Sequence, residues 1–164
     1  MTYPRELRKI VAFFESLNEE EKRENLIAYG EQAKRHEPRR GETFDFEDVR
    51  KDRECTDTVG VFLRIDRDGR AAFRITLGPQ VQTLTRALTT ILCKGLSGTR
   101  LEEIAELPAD FVEKIVGSQL IRIRSQSVFY VFNRMKSACA QSIKKSPAVP
   151  RTCHPAKSGH FHRP

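Results

Sequence analysis

The chain has 164 residues, 38% of them apolar, and this length suits one domain of ordinary size with a short tail. No apolar run approaches the roughly 18 residues of a membrane span, and the first residues lack the apolar segment of a secretory signal. We therefore expect a soluble, cytoplasmic protein that does not act in a membrane.

The formal net charge of +7 is unevenly placed along the chain. Residues 1–113 carry 19 basic and 22 acidic side chains, whereas residues 114–164 carry ten basic ones and no acid. Such a block is typical of a solubilising arm, and it also suits a surface for acidic protein or nucleic acid.

The N-terminal third predicts two helices followed by a loop. The first helix follows from one apolar stripe at helical spacing, formed by Leu7, Ile10, Val11, Phe14 and Leu17. Asn18 and Glu21 have the spacing of a capping box for a second helix, which Gly30 can end.

Residues 31–53 are polar and aperiodic apart from Phe44, Phe46 and Val49, so they predict a long loop of functional or mobile character. The stretch 44–54, which begins within this loop, suits a hinge that the three apolar residues hold against the rest of the domain. Ordinary packing against the core is the alternative interpretation.

A hairpin is predicted next, where the apolar period changes to two. Val59, Val61, Leu63 and Ile65 alternate along one strand. Residues 66–69 supply the turn, and Ala71, Phe73 and Ile75 alternate on the return strand.

Helices return after Pro79. An apolar face from Leu84 to Gly95 predicts one helix, and the spacing of Thr99 and Glu102 predicts a cap for the next. A further short helix is expected between Pro108 and Gly117. Ser125 is predicted to cap a last long helix whose apolar seam consists of Val128, Phe132, Met135 and Cys139.

The predicted order of elements is ααββααα. Grouped strands favour an α+β fold with the helices packed on one side of a small antiparallel sheet. We expect one domain over residues 1–143 and a basic, Pro-rich, disordered tail over residues 144–164.

The four cysteines form no C-x-x-C pair, so the sequence predicts neither a zinc ribbon nor a thioredoxin-like site. Cys93 and Cys139 fall within predicted helices, and Cys153 falls in the tail. Cys55 closes the long loop directly before a strand, which makes it the candidate reactive thiol, with small core filler as the alternative.

Several segments together resemble the SufE family of sulfur acceptors over roughly residues 5–140. They are Cys55–Val59, the hairpin that follows, Leu96–Ile104, and Arg124–Ser127. The family has Gly-Cys-x-Ser-x-Val-Trp at the first segment and Arg-Ser-Asn-Gly at the last.

The resemblance implies a carrier and activator of a SufS-type cysteine desulfurase, rather than an independent enzyme, with no cofactor or metal of its own. Cys55 would take persulfide sulfur from that pyridoxal-phosphate enzyme and pass it to an iron–sulfur scaffold. Thiolate attack requires a lowered pKa, which positive charge or a helix N-terminus nearby can provide. Arg124 stands at the matching family position for this role, and Arg53 is the alternative close in sequence.

The sequence also departs from the family pattern. Glu54 replaces the glycine before Cys55, and Asp57 stands where the family has serine; unpaired, both acids would raise the pKa of Cys55. Gly60 replaces the tryptophan and Ser127 the last glycine, while Pro79 or Gln80 falls where the family has an acid before the helix.

Two other interpretations remain open. The same fold could serve as a non-catalytic protein-interaction or nucleic-acid-binding module, through the basic C-terminal region and the bases and aromatics interleaved over residues 122–136. The tail residues Cys153, His154, His160 and His162 are metal-ligand types, but their spacing does not match a usual zinc site. His36, isolated in polar sequence, is expected to be solvated.

Overall fold

The structure, a computed structural model, describes residues 2–51, 53 and 57–145, without the side chains of residues 121–128. In this part of the chain, helices pack on one side of a three-stranded antiparallel sheet of order β1-β2-β3. The elements are α1 (Arg5–Glu15), α2 (Glu19–Glu31), a short 3-10 helix (Ala33–His36), β1 (Phe46–Arg50), β2 (Val59–Ile65), β3 (Ala71–Leu77), α3 (Thr83–Gly95), α4 (Leu101–Glu106), α5 (Phe111–Val116) and α6 (Ser118–Lys145). The predicted α+β fold is confirmed.

The core lies between the helices and one face of the sheet. From the sheet, the buried side chains include Val61, Leu63 and Ile75, and from α3 they include Leu88 and Ile91. The helix α3 packs against β3 and α6 packs against β2, while α1 and α2 cover α3 from the other side. The 7-residue strands β2 and β3 therefore form the part of the sheet against which the helices pack.

The first helix and the cap of the second are as predicted. Leu7, Val11 and Phe14 are buried along α1. The Asn18 side chain accepts from the Glu21 backbone N–H while the Glu21 side chain accepts from the Asn18 N–H, which completes the capping box.

The predicted end of the second helix at Gly30 is wrong. The helix α2 continues to Glu31, and Gly30 is buried against α3, where an added Cβ would lie 3.2 Å from Thr83 Cγ2. Its small size serves close helix packing.

The predicted hairpin is confirmed, with Leu63 opposite Phe73 and Ile65 opposite Ala71. Gly69 in its turn has a φ of 72°, which an L side chain rarely adopts. The alternation of buried and less buried residues along both strands explains why this register is the stable one.

The long loop predicted over residues 31–53 contains a strand that the sequence analysis missed. The strand β1 pairs antiparallel with β2, placing Phe46 opposite Leu63 and Asp48 opposite Val61. Phe46 packs against the core and the Phe44 ring lies 5.2 Å from that of Phe62, but Val49 is 56% exposed. Core packing thus describes Phe46, whereas Phe44 packs on Phe62 outside the core cluster and Val49 is exposed beside Gly60.

Two predicted helix starts are also wrong. The helix α4 follows Arg100, and no side chain caps it. The Thr99 carbonyl accepts from the Ala71 N–H, beside the isolated bridge between Arg70 and Arg100. The helix α6 begins at Ser118, seven residues before the predicted cap at Ser125. From Tyr130 onward, the buried residues of this helix lie on one face, which packs into the core.

The predicted boundary between domain and tail lies at the edge of what is described. The helix α6 extends to Lys145, two residues past the predicted domain end at 143. The tail proper, residues 146–164, lies outside the described residues, and so do Cys153 and the three histidines there.

We expect Phe132→Ala to lower the free energy of unfolding by about 3–5 kcal/mol, because it leaves a cavity beside Phe111. The Phe132 side chain is 1% exposed and its ring meets that of Phe111 edge-on at 5.1 Å. Urea unfolding followed by circular dichroism measures the change. The matched control is Phe13→Ala, at a ring that is 43% exposed, where we expect a loss below about 1 kcal/mol. Equal losses in the two variants would contradict the described core.

Candidate functional site

The predicted thiol Cys55 belongs to the connection between β1 and β2, residues 51–58. Residues 54–56, and so Cys55 and Glu54, lie outside the described residues. Arg53 is exposed. The described part of the site consists of the groups that hold the two ends of this connection.

The side chain of Arg124 lies outside the described part of the structure, but its backbone is placed. It lies within α6, six residues after the helix begins at Ser118. The expectation that Arg124 stands just ahead of a helix N-terminus is wrong, because α6 starts earlier. The backbone N–H groups of a helix start are therefore not available at this position.

The β1 end of the connection is held by Arg134, a buried residue of α6. Its Nη2 lies 2.9 Å from Asp48 Oδ2, and its Nε donates to the same oxygen at 3.2 Å. On β2, its Nη1 donates to the Val59 carbonyl at 2.7 Å. One guanidinium thus joins the last helix to both strands that flank the connection.

The β2 end is held by Asp57. One carboxylate oxygen accepts from the Thr58 N–H at 2.7 Å, and the other accepts from the Gln80 N–H at 2.9 Å. The Gly78 N–H donates to the Thr58 carbonyl at 2.9 Å. Asp57 therefore ties the end of the connection to the turn between β3 and α3.

That turn is shaped to accept the carboxylate. A Cβ added to Gly78 would overlap the Asp57 carboxyl group, so the close approach depends on the glycine. Arg86 of α3 stabilises the turn. It donates from Nη2 to the Gly78 carbonyl at 2.7 Å and from Nε to the Val81 carbonyl at 3.0 Å.

The pKa of Asp57 is lowered below its ordinary value. The largest cause is the hydrogen bond from the Gln80 N–H, followed by that from Thr58, with Lys51 and Arg86 adding favourable charge. The carboxylate stays ionised at neutral pH, and it is paired. An unpaired Asp57 was expected to raise the pKa of Cys55. In the structure Asp57 is paired, so this condition is not met.

The two cysteines predicted to lie within helices do so, and both are buried. Cys93 is 4% exposed on α3 and Cys139 is fully buried on α6. Burial raises the pKa of each thiol to about 12. Neither thiol forms a thiolate at neutral pH, so neither suits nucleophilic sulfur chemistry.

His36 is half-buried in the 3-10 helix, so the expectation of a solvated side chain is wrong. Burial lowers its pKa first, and the charges of Lys94, Arg74 and Arg35 lower it further. Among the described residues, no three His, Cys, Asp or Glu side chains converge as a metal site would require.

Two cavities of the described structure lie away from the connection, and no residue of 57–60 lines either. A groove of about 500 Å³ lies between α2 and α3, beside Leu26, Ile27 and Leu84. A polar pocket of about 310 Å³ lies beside His36 and Arg74.

Sequence reasoning missed Arg134, although a signal was present. Arg134 falls three residues after Val131 and four before Ala138, both fully or nearly fully buried, so it stands on the apolar stripe of its helix. An arginine at such a position needs buried acceptors. Their identity, Asp48 and Val59, depends on strand pairing that the sequence does not reveal.

Comparison with known proteins gives one family and one shared fold. The profile of the family described as "SufE: Fe-S metabolism associated domain" matches residues 8–139. No curated protein matches the chain. In the described part of the structure, no helix combines the length and apolar character of a bilayer crossing.

Two solved structures resemble this one. A hypothetical protein from Thermus thermophilus, solved in solution, is 18% identical with a TM-score of 0.70, over 88% of this chain and 100% of that one. The N-terminal part of a nitrogen-fixing NifU-like protein from Brucella abortus, a crystal structure, is 14% identical with a TM-score of 0.55, over 74% and 94%. At these identities the likeness establishes the fold alone.

We expect Asp57→Asn to lower stability at neutral pH and to have little effect in acid. A carboxyl group whose pKa is lowered by folding stabilises the protein above its unfolded pKa, and this contribution disappears as pH falls through the lower folded value. Urea unfolding of both proteins at about pH 7 and about pH 3 measures it. A stability difference that is equal at both pH values would contradict an ionised, hydrogen-bonded Asp57.

We expect Cys93 and Cys139 to resist alkylation in the native protein, because both are buried with pKa values of about 12. Iodoacetamide treatment near pH 8, followed by peptide mass spectrometry, should leave both unmodified and should modify both in urea. Native-state labelling of either residue at the rate seen in urea would contradict its burial.

Proposed function

The chain belongs to the SufE family of Fe–S metabolism associated domains, and we propose that it accepts sulfur as a persulfide on Cys55 and passes it on for iron–sulfur cluster assembly. The general role in Fe–S metabolism follows from family membership. The identity of the acceptor residue and of the donor is the proposal.

The observation that supports it is the bracing of residues 51–58 at both ends. Arg134 holds Asp48 on β1 and Val59 on β2, and Asp57 binds the Gln80 N–H beside the β2 end. A connection between strands that is fixed to a rigid body at both ends suits a reactive group that must meet a partner in a defined geometry. Cys55 belongs to this connection, whereas Cys93 and Cys139 are buried with raised pKa values.

The proposed step is thiol–persulfide exchange. The Cys55 thiolate attacks the outer sulfur of the donor's persulfide, a new S–S bond forms on Cys55, and the donor's S–S bond breaks to release its thiolate. One sulfur atom moves and no net oxidation or reduction occurs, so no further oxidant is needed.

We propose a SufS-type cysteine desulfurase as the donor and an iron–sulfur scaffold as the recipient, with the chain acting in the cytoplasm. The desulfurase contributes the pyridoxal-phosphate chemistry that removes sulfur from free cysteine. The chain then serves as its carrier and activator and not as an independent enzyme.

Arg124 is the proposed assisting residue, on the strength of its family position. A guanidinium near Cys55 would favour the thiolate by charge alone, since the helix start it was expected to share lies at Ser118. Lys51 and Arg86, whose charges act on Asp57, add positive charge near the end of the connection.

The nucleic-acid alternative gains no support from the described residues of its basic and aromatic stretch. Tyr130, Phe132 and Arg134 are buried. The Lys136 ammonium donates to the Leu107 carbonyl at 2.8 Å and lies 5.5 Å from the Phe132 ring centre. These groups serve packing between α6 and its neighbours and leave little for a phosphate backbone.

We expect the wild-type chain to gain one reducible sulfur atom after incubation with a cysteine desulfurase and cysteine, and Cys55→Ser to gain none. Only a thiolate can attack the donor persulfide and carry the sulfur as a new S–S bond. Intact mass before and after reduction measures the gain.

Cys93→Ser is the matched control, since it removes a thiol that is buried on α3, and it should gain sulfur like the wild type. Deletion of residues 146–164 should leave the gain unchanged. Sulfur on Cys55→Ser to the wild-type extent would refute Cys55 as the acceptor. Loss of the gain on deletion of the tail would favour a function based on the basic region.

A further inference from the structure

We propose that Arg134 is the positioning residue for sulfur acceptance, holding the two strand ends that present residues 51–58. This inference rests on the proposed function, in which Cys55 is the acceptor. Arg134 acts through Asp48 and Val59 and does not touch the reacting sulfur.

The acceptors of Arg134 come from three elements. On β1 they are the Asp48 carboxylate, at 2.9 Å from Nη2, and the Asp48 backbone carbonyl. On β2 it is the Val59 carbonyl, at 2.7 Å from Nη1. On α6 itself it is the Tyr130 hydroxyl, at 3.1 Å from the same nitrogen. The planar guanidinium thus fixes helix and strands in one geometry.

These contacts lie where the two strands part. Val59 is opposite Arg50, the last pair of the β1–β2 ladder before the connection, and Asp48 is two residues earlier on β1. Eight residues, 51–58, join these two strand ends. A displacement of either strand end moves the described residues that flank Cys55 on that side.

The burial of the pair points to geometry more than to stability. The Arg134 side chain is 4% exposed and that of Asp48 is 25% exposed. The desolvation of such a pair largely offsets its Coulomb attraction, so its net contribution to stability is small, whereas its directional bonds fix an arrangement. An apolar residue at 134 would pack on this stripe without fixing both strands.

The chain offers a matched control in the pair Arg74–Glu42. Arg74 on β3 is 21% exposed, and its Nε donates to Glu42 at 3.1 Å. Glu42 precedes β1, at the end of that strand remote from the connection. This pair also joins an arginine to a distant carboxylate, but it does not flank residues 51–58.

The test compares Arg134→Lys and Arg134→Met/Asp48→Asn with Arg74→Lys and Arg74→Met/Glu42→Gln in the full chain. The rate of sulfur gain from the desulfurase is measured by intact mass at increasing desulfurase concentration.

We expect both Arg134 variants to lower the maximal rate roughly tenfold or more. Because Arg134 is buried, the desulfurase concentration that gives half the maximal rate should stay unchanged. Both Arg74 variants should stay within about twofold of the wild type.

Protection of Cys93 and Cys139 from alkylation shows in the same samples that each variant is folded. If the double variant loses this protection, Arg134→Lys decides, since it keeps a positive charge but lacks the planar fork of donors that the guanidinium presents to both strands. Loss of protection in Arg134→Lys as well would overturn the proposal, because Arg134 would then hold the whole fold.

A normal maximal rate in the folded Arg134 variants, or equal slowing in the Arg74 variants, would likewise overturn it. Failure of the proposed function has a different signature, in which the wild type itself gains no sulfur on Cys55. In that case the alkylation rate of Cys55 across pH still tests Arg134, and an unchanged rate profile in the folded variants would overturn its positioning role.

Discussion

A guanidinium buried in a small core must find oxygen acceptors, and this requirement constrains the arrangement around Arg134. Its contacts are met only if α6 crosses the sheet at β2 and if Asp48 on β1 faces inward. A slip of one residue in the β1–β2 register would turn Asp48 to the outer face and leave the charge unpaired. Of the 5 residues of β1, Phe46 packs against the core and Val49 is exposed, so the register depends on Phe46 together with the ion pair of Asp48.

The parts of the fold that could be predicted from the sequence depend on near neighbours. Residues of one strand or one helix turn carry the signal themselves, as in the alternation from Val59 to Ile65 and the stripe from Leu7 to Phe14. The capping box of Asn18 and Glu21 is likewise complete within four residues. Such patterns indicate the correct element because packing of that same face later stabilises it.

The parts that could not be predicted depend on partners distant in sequence. On β1, the charged Asp48 faces inward and the apolar Val49 faces outward, which is the reverse of the usual placement of these residue types. The reason is that the inward partner of Asp48 is Arg134, 86 residues away. The helix α6 starts at Ser118 and not at the local cap signal of Ser125, and its first turn includes Leu120, which packs against the core. Contacts between residues distant in sequence also determine the candidate site. A lone Cys55 and its neighbours were visible in the sequence, but the residues that brace them come from β1, α6 and the turn after β3.

The departures from the family pattern at Asp57 and Gln80 are related through space. The family has serine at the first position and an acid near the second, and here the acid stands at 57 and accepts from the Gln80 N–H. A carboxylate two residues from Cys55 opposes thiolate formation by repulsion. The backbone N–H groups of Gln80 and Thr58 and the charges of Lys51 and Arg86 offset it, and Gly78 gives it room. Asp57 therefore makes a polar tie between the connection and the turn after β3, and as a paired acid it does not argue against a working thiol.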